Sequence, residues 1–380
     1  MTRSGMPDAR VIKVGIKTEG NPVLEKCGEV TLLHNMIIGD GFHWQKTIKA
    51  ILPGEVIPFT PGLGKISEAD RNITIINHVP LETYLQCVVG SEMNPMASSE
   101  FLKAHAVISR SWALGKMTGL HDYDNIDLVN EDNLLVGWDD TSGHHGFDVC
   151  SDDHCQRYQG LQEIPEASLH ALEKTKGEIL VTSEGKIVDA RFSKCCGGET
   201  ELFNTCWQNI NTGSLESFKD PWCDLSGLSA TKRRLLLSTV LKDYDLATEG
   251  YGFRWHAEVM KEDIEKNLYE KFNRNIGKII RIEPLHRGMS GRIDLLRIHG
   301  SKGILDLGKE LWIRRLLSSS HLYSSAFEIE DKDEMIRLSG RGWGHGVGLC
   351  QIGAAHMGAS GYTYKEILSF YYPGSRVVRQ

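Results

Sequence analysis

Nowhere in its 380 residues does the chain carry a run of about 18 apolar residues, the length a membrane-spanning helix requires. Its opening stretch, MTRSGMPDARVIKVGIK, lacks the apolar core of a secretory leader. That leaves either a cytoplasmic chain or one whose leader has been removed. Basic residues are in the minority: 43 Lys and Arg stand against 50 Asp and Glu, a net charge of −7. With no dominant positive field to release counterions, broad nucleic-acid binding is disfavoured, while a local basic groove for an anionic or sugar polymer stays open. Several catalytic signatures are also missing. There is no GxGxxG or Gly-Lys-Ser/Thr nucleotide loop, no GxSxG elbow, no HExxH and no EF-hand loop. No internal repeat and no low-complexity tract occurs.

What is present is ordinary in bulk and unusual in detail. A hydrophobic content of 41% and a charged content of 24% are those of a globular protein, long enough for roughly two or three domains. Near the C-terminus, GRGWGHGVGLCQIGA places glycine at 340, 342, 344, 346 and 348, alternating with Arg341, Trp343, His345 and Val347. Glycine inside regular structure costs backbone entropy, so five in alternation need a reason. Period two is the strand period; an extended chain here would turn one bare glycine face toward a ligand or another segment. The alternative is a glycine-rich turn that packs tightly.

Local patterns set the frame. Residues 1–75 read as β-rich, from VIKVGI, EVTLLH and NITIINHV. A helix is expected to start near Pro80, through PLETYLQCVVG, and a second near Ser98 or Ser99, with Phe101, Ala104, Ile108 and Trp112 on one face. Glu92 then sits in the corner between them. Residues 118–165 are polar and irregular. A helix is expected over EASLHALEKTKG, then strands EILVTS and KIVDARFS, a charged helix over 256–275, strands KIIRIEP, RIDLLRIHG and GILDLG, and a short helix around LWIRRLL. The strand EMIRLSG runs into the glycines, and Thr363 with Glu366 forms a capping box beyond them.

Four groups of residues have chemical potential. Glu92, beside Met93 and Pro95 after the apolar CVVG, is placed for general acid chemistry or is a solvated glutamate. In HHGFDVCSDDHCQRYQG, the residues His144, Cys150 and Cys155 are a zinc set, a Cys150–Cys155 disulfide or free thiols; His145 and His154 are further nitrogen donors. FSKCCGGETE holds Cys195 and Cys196, followed by Cys206 and Cys223. Vicinal cysteines seldom bridge each other, so each has a distant partner or none. Cys27, Cys87 and Cys350 are isolated and read as buried thiols. In the glycine run, His345 can donate or accept a proton and Gln351 can bind an amide or hydroxyl.

Taken together the blocks resemble the stage II sporulation protein D / amidase-enhancer family. NHVPLETYLQCVVGSEMNPMASSEFLKAHAVISRSWALGKM is similar to its helix, Glu-Met-Pro corner and alanine-rich helix; DVCSDDHCQRYQG to its Cys…Cys-Gln-x-Tyr-x-Gly segment; SGRIDLLRIHG and GWGHGVGLCQIGA to its C-terminal blocks. They follow in one order from roughly Ile73 to Ser375. The departures are His105 for a common Gln, SKCCGG for a hydroxyl-rich Ser/Thr-Gly-Gly segment, Cys350 for Ser, and Met-Asn-Pro after Glu92.

The resemblance implies a lytic transglycosylase acting on peptidoglycan glycan strands, with Glu92 as the catalytic acid and base. It would cleave the MurNAc–GlcNAc bond and leave a 1,6-anhydro-MurNAc end. It also implies zinc on His144, Cys150 and Cys155, glycan contacts from Arg110, His345, Gln351, Ser193 and Tyr158, a cell-wall amidase as partner, no nucleic acid, no organic cofactor, and a place in the cell envelope. A non-catalytic wall-binding module that activates an amidase, and a zinc-dependent hydrolase, are the alternatives. The expected fold is α+β, a helical catalytic core with β-rich N-terminal and inserted regions. Its expected parts are a β-rich region 1–75, the catalytic core 76–230, an inserted α/β subdomain 231–335, and a C-terminal segment 336–380 completing the core.

Overall fold

The computed structural model describes residues 10–18, 23–26, 29–32, 42–43, 48–52, 55–59, 63–69, 72–120, 129–138, 144, 146–151, 155–158, 160, 164–210, 212–213, 215–241 and 252–380, with side chains for 10–16 and from 75 onward. Cys27, His145 and His154 lie outside the described residues. Helices and several sheets are mixed along the chain, an α+β fold.

An antiparallel pair, Val11–Thr18 with Asn72–Pro80, forms the centre of one sheet, and the short strand Val149–Cys150 adds to its edge in parallel. Pro80 ends the strand and caps helix α1 (Leu81–Glu92), whose first N–H donates back to Arg10 O at 2.8 Å. Leu81, Tyr84, Leu85, Val88 and Val89 are buried at helical spacing. The Ser98 hydroxyl caps α2 (Ser99–Met117) by accepting from Phe101 N–H. One apolar face was expected of α2. Instead it is buried on all sides from Phe101 to Gly115, because α1, α3 (Glu166–Lys174) and the strand Glu178–Val181 pack around it. Two helices from the C-terminal end, α8 (Gln351–Ala359) and α9 (Tyr364–Tyr371), complete its surroundings. The Thr363–Glu366 capping box forms at the start of α9.

A second core gathers around Ile293, Leu296, Leu305, Ile313 and Leu338. Its strands are Ile279–Arg287, Ile293–Gly300 and Gly303–Gly308, extended in parallel by Leu134–Val136. The short helix α4 (Phe203–Cys206) buries Phe203 and Cys206 in the first core while touching the strand Ile293–Gly300 of the second, and α5 (Ala230–Ser238) packs on the first. Helices α6 (Lys261–Phe272) and α7 (Glu310–Leu316) belong to the second. The helix expected over 256–275 is shorter: Trp255–Met260 is a strand paired with Met335–Gly340, because its alternating burial suits a sheet face.

Burial around α2 has an electrostatic consequence. His105 is fully buried; its Nδ1 is 3.2 Å from Ser109 Oγ, and its Nε2 has no partner among the described residues. Burial first, then the Lys194 ammonium, pushes its pKa down to about 3. The unfolded chain takes this proton near 6.5 and the folded chain refuses it. Stability from this group is therefore complete above pH 6.5 and is lost as pH falls toward 3, by a few kcal/mol at most. His105→Gln should flatten the pH dependence of the unfolding midpoint in that window; equal slopes for wild type and variant would refute the assignment.

Candidate active site

Glu92 is the last residue of α1, half-buried at the corner before α2. Its Oε1 accepts from the backbone N–H of Arg157 at 2.9 Å. Arg157 lies two residues beyond Cys155, so the carboxylate is tied to the cysteine loop. Tyr84, one helical face away on α1, joins the same group: its hydroxyl is 3.0 Å from Gln156 Oε1, and its ring stacks on Tyr158 at 5.6 Å. Burial, then the neighbouring Cys155, Cys150 and Glu92, holds the Tyr84 phenol far above its ordinary pKa.

The donor atoms of His144, Cys150 and Cys155 all lie within 4.8 Å of one another. Cys150 is set by the parallel pairing of Val149–Cys150 with Val14 and Gly15, and by Ser151 N–H donating to Gly15 O at 3.0 Å. The Phe147 ring packs where a side chain at Gly15 would stand, 2.5 Å from an added Cβ, so a larger residue there would push that ring aside. Cys155 Sγ is 3.9 Å from His144 Nε2 and accepts from Cys150 N–H at 3.5 Å. Hydrogen bonding by the Cys150 side chain, aided by that backbone N–H and by the cations Lys116 and Arg191, lowers the Cys155 pKa against burial. A thiol biased toward thiolate beside an imidazole is a set that can hold a metal ion. Cys150 and Cys155 are both buried.

The glycine run is not extended beyond Gly340. Gly342, Gly344, Gly346 and Gly348 all have positive φ, from 71° to 93°, a left-handed conformation that side chains rarely adopt. Their bare sides meet protein. A Cβ at Gly346 would come within 2.5 Å of the Arg292 guanidinium, and one at Gly348 within 2.2 Å of Arg191 O. Arg292 is fully buried and donates to Gly344 O at 2.9 Å, Cys196 O at 3.3 Å and Ser290 Oγ at 2.8 Å. Glu201, equally buried, accepts from Ser290 and Met289 and holds the same hairpin from the other side. These two charged residues organise the motif. The only hint of them in the chain was a charge inside GGETE and another inside SGRIDLL.

His345 is half-buried, its Nδ1 accepting from Val347 N–H at 3.0 Å and its ring edge-on to Trp207 at 4.8 Å. Burial, and then Arg191, Arg292 and Arg314, hold the imidazole neutral, its pKa well below the ordinary value. Gln351 is buried in the first turn of α8. Ser193 is buried with its Oγ unpartnered among the described residues, beside Gly344. Arg191 links the two halves, lying within electrostatic reach of both Cys155 and His345 and stacking on Trp207 at 4.3 Å. Arg110 and Tyr158 are spent internally. Arg110 makes a two-point ion pair with Glu82, at 2.7 and 2.9 Å, and reaches Glu178 O at 3.0 Å. The Tyr158 hydroxyl accepts from Asn77 Nδ2 at 2.8 Å.

Comparison with known proteins gives the class first. Residues 69–181, which hold the Glu92 corner and the His–Cys–Cys set, match the Stage II sporulation protein family. Residues 201–348 match a Domain of unknown function (DUF8618). The chain thus carries a match to the Stage II sporulation protein family over residues 69–181, and its relatives include proteins named Stage II sporulation protein D and Amidase enhancer. It is 29% identical over 304 residues to an uncharacterized protein of Brachyspira hyodysenteriae, covering 80% of this chain and 68% of that one. With Stage II sporulation protein D of Bacillus subtilis it shares 24% over 302 residues, 80% and 75% of the two chains. With the Amidase enhancer of Bacillus subtilis it shares 26% over 224 residues, 54% of this chain and 32% of that protein. Among the described residues no helix is long and apolar enough to cross a membrane.

Proposed function

We propose that this chain is a peptidoglycan lytic transglycosylase of the cell envelope, with Glu92 as its single general acid and base. The observation that carries the reading is the half-buried Glu92 carboxylate at the α1 corner, aimed by the Arg157 N–H. Glu92 protonates the oxygen between MurNAc and GlcNAc, and the bond to C1 breaks through an oxocarbenium-like state. The 6-hydroxyl of the same sugar attacks C1, and Glu92 takes back the hydroxyl proton. One carboxyl thus serves both steps, and the product ends in 1,6-anhydro-MurNAc. In this reading His345 meets the glycan, while Ser193, Gln351, Arg110 and Tyr158, all buried, hold the frame behind it. The neutral imidazole of His345 suits hydrogen bonding to sugar hydroxyls rather than proton transfer.

The donor chemistry of His144, Cys150 and Cys155 fits zinc. When bound, the ion supplies a clamp on the 155–158 loop, whose Arg157 N–H positions Glu92. Cys155→Ser should remove one zinc per chain, weaken metal affinity by about 10-fold or more, and lower kcat more than it raises KM. Unchanged zinc content in that variant would refute the set.

Mass spectrometry of products from peptide-free glycan strands tests the reaction. Anhydro ends are expected; reducing ends, one water heavier, would overturn the transglycosylase chemistry. The Amidase enhancer relative supports a second reading, a wall-binding partner of an amidase without chemistry of its own. No released sugar together with stimulation of a cell-wall amidase would favour it.

A further inference from the structure

A second group of metal-ligating side chains lies apart from Glu92 and its loop. Cys196, Asp220, Cys223 and Cys350 are all buried, and their donor atoms lie within 4.8 Å of one another. They come from three separate segments. Cys196 follows the strand Phe192–Ser193, Asp220 caps and Cys223 ends the 3-10 turn Pro221–Cys223, and Cys350 is the N-cap of α8.

We propose that these four residues form a closed structural zinc site, distinct from the His144 set, which ties the glycine-rich motif to the core. A tetrahedral zinc with Zn–S of about 2.3 Å has donor–donor edges of about 3.8 Å, so a small contraction of the present cluster seats one ion. Four protein donors with no solvent access define a structural site, where a catalytic one would keep an open position. Soft sulfur donors dominate, which selects zinc over magnesium or calcium.

The surroundings are those of ligands held in place. Cys350 Sγ accepts from Cys196 N–H at 3.3 Å and Gly353 N–H at 3.5 Å, and Cys196 Sγ from Gly198 N–H at 3.4 Å. Asp220 Oδ1 accepts from Trp222 N–H at 3.0 Å and Oδ2 from the Tyr371 hydroxyl at 3.0 Å. Such outer hydrogen bonds orient ligands and stabilise their negative charge. A disulfide is the competing arrangement, since Cys195 Sγ is 3.3 Å from Cys223 Sγ. It would use two sulfurs and leave a buried carboxylate among the remaining thiols.

The test uses the full chain purified under reducing conditions and incubated with zinc. A Cys150→Ser/Cys155→Ser variant, which lacks the first set, should retain one zinc per chain. Adding Cys350→Ser should cut zinc affinity at least 10-fold; serine is itself a good N-cap, so α8 keeps its start. Cobalt in the retained site should show thiolate charge-transfer absorption. Absence of bound zinc in the folded double variant, or a Cys195–Cys223 disulfide in its peptide map, overturns the proposal. Should that variant fail to fold, zinc X-ray absorption on wild type decides. More than two sulfurs per zinc on average supports the second site, and two or fewer refutes it.

Discussion

Glu92→Gln should abolish release of anhydro-sugar ends while leaving the fold and zinc content unchanged. The amide is nearly isosteric, and its oxygen can still accept from Arg157 N–H, which donates to Glu92 at 2.9 Å in the wild type. What is lost is the exchangeable proton. General acid–base catalysis contributes about 10²–10⁴-fold, and here one group serves both bond cleavage and the return proton. A fall in turnover of at least about 10³-fold is therefore expected, with little change in glycan affinity. Turnover within tenfold of wild type, with anhydro products intact, would remove Glu92 from the mechanism. If the wild type releases no sugar at all, the amidase-activating reading gains.

Gly348→Ala should be the most damaging single methyl group in the C-terminal motif. Its φ is +71°, and the new Cβ would stand 2.2 Å from Arg191 O. The left-handed conformation costs roughly 1–2 kcal/mol for a residue with a Cβ. The clash adds about 1–3 kcal/mol. The carbonyl it displaces accepts from Leu349 N–H at 3.0 Å and the Tyr372 hydroxyl at 2.6 Å, so further stability of about 1 kcal/mol is at risk. About 4 kcal/mol in all is a large part of a typical 5–15 kcal/mol. Gly361→Ala is the control. Its φ is +92° but nothing lies within 4 Å of the added Cβ, so only about 1–2 kcal/mol should be lost. Urea unfolding of the two variants separates the terms. Equal losses would mean that backbone conformation, and not the contact with Arg191, explains the glycine.

Local order was legible along the chain. Pro80, Ser98 and the Thr363–Glu366 box marked helix starts within a residue, because caps act through neighbours in sequence. The alternating glycines were legible as a constraint but not as a conformation. Period two suggested an extended face, whereas four of the five are left-handed, folded around the Arg292 guanidinium and the Arg191 carbonyl. The family resemblance implies a glycan contact at Arg110; in the structure its guanidinium turns inward to Glu82, since α2 is covered on every side. A helical period reports one buried face, and nothing in it says that five elements will surround the helix.

The cysteines divide along the same line. His144, Cys150 and Cys155 stood close enough in sequence to be read as one set. Cys350, isolated in the chain, reached its neighbours Cys196 and Cys223 only through folding. By itself the sequence determined the capped helix starts and the Glu92 corner, because these rest on side chains that are near one another along the backbone. The tertiary structure alone decided which charged groups are buried, which glycines admit no side chain, and which thiols converge. Those depend on segments brought together by packing: the partner of the Arg110 guanidinium lies 28 residues away, and the 2.2 Å contact at Gly348 is set by Arg191, more than a hundred residues away.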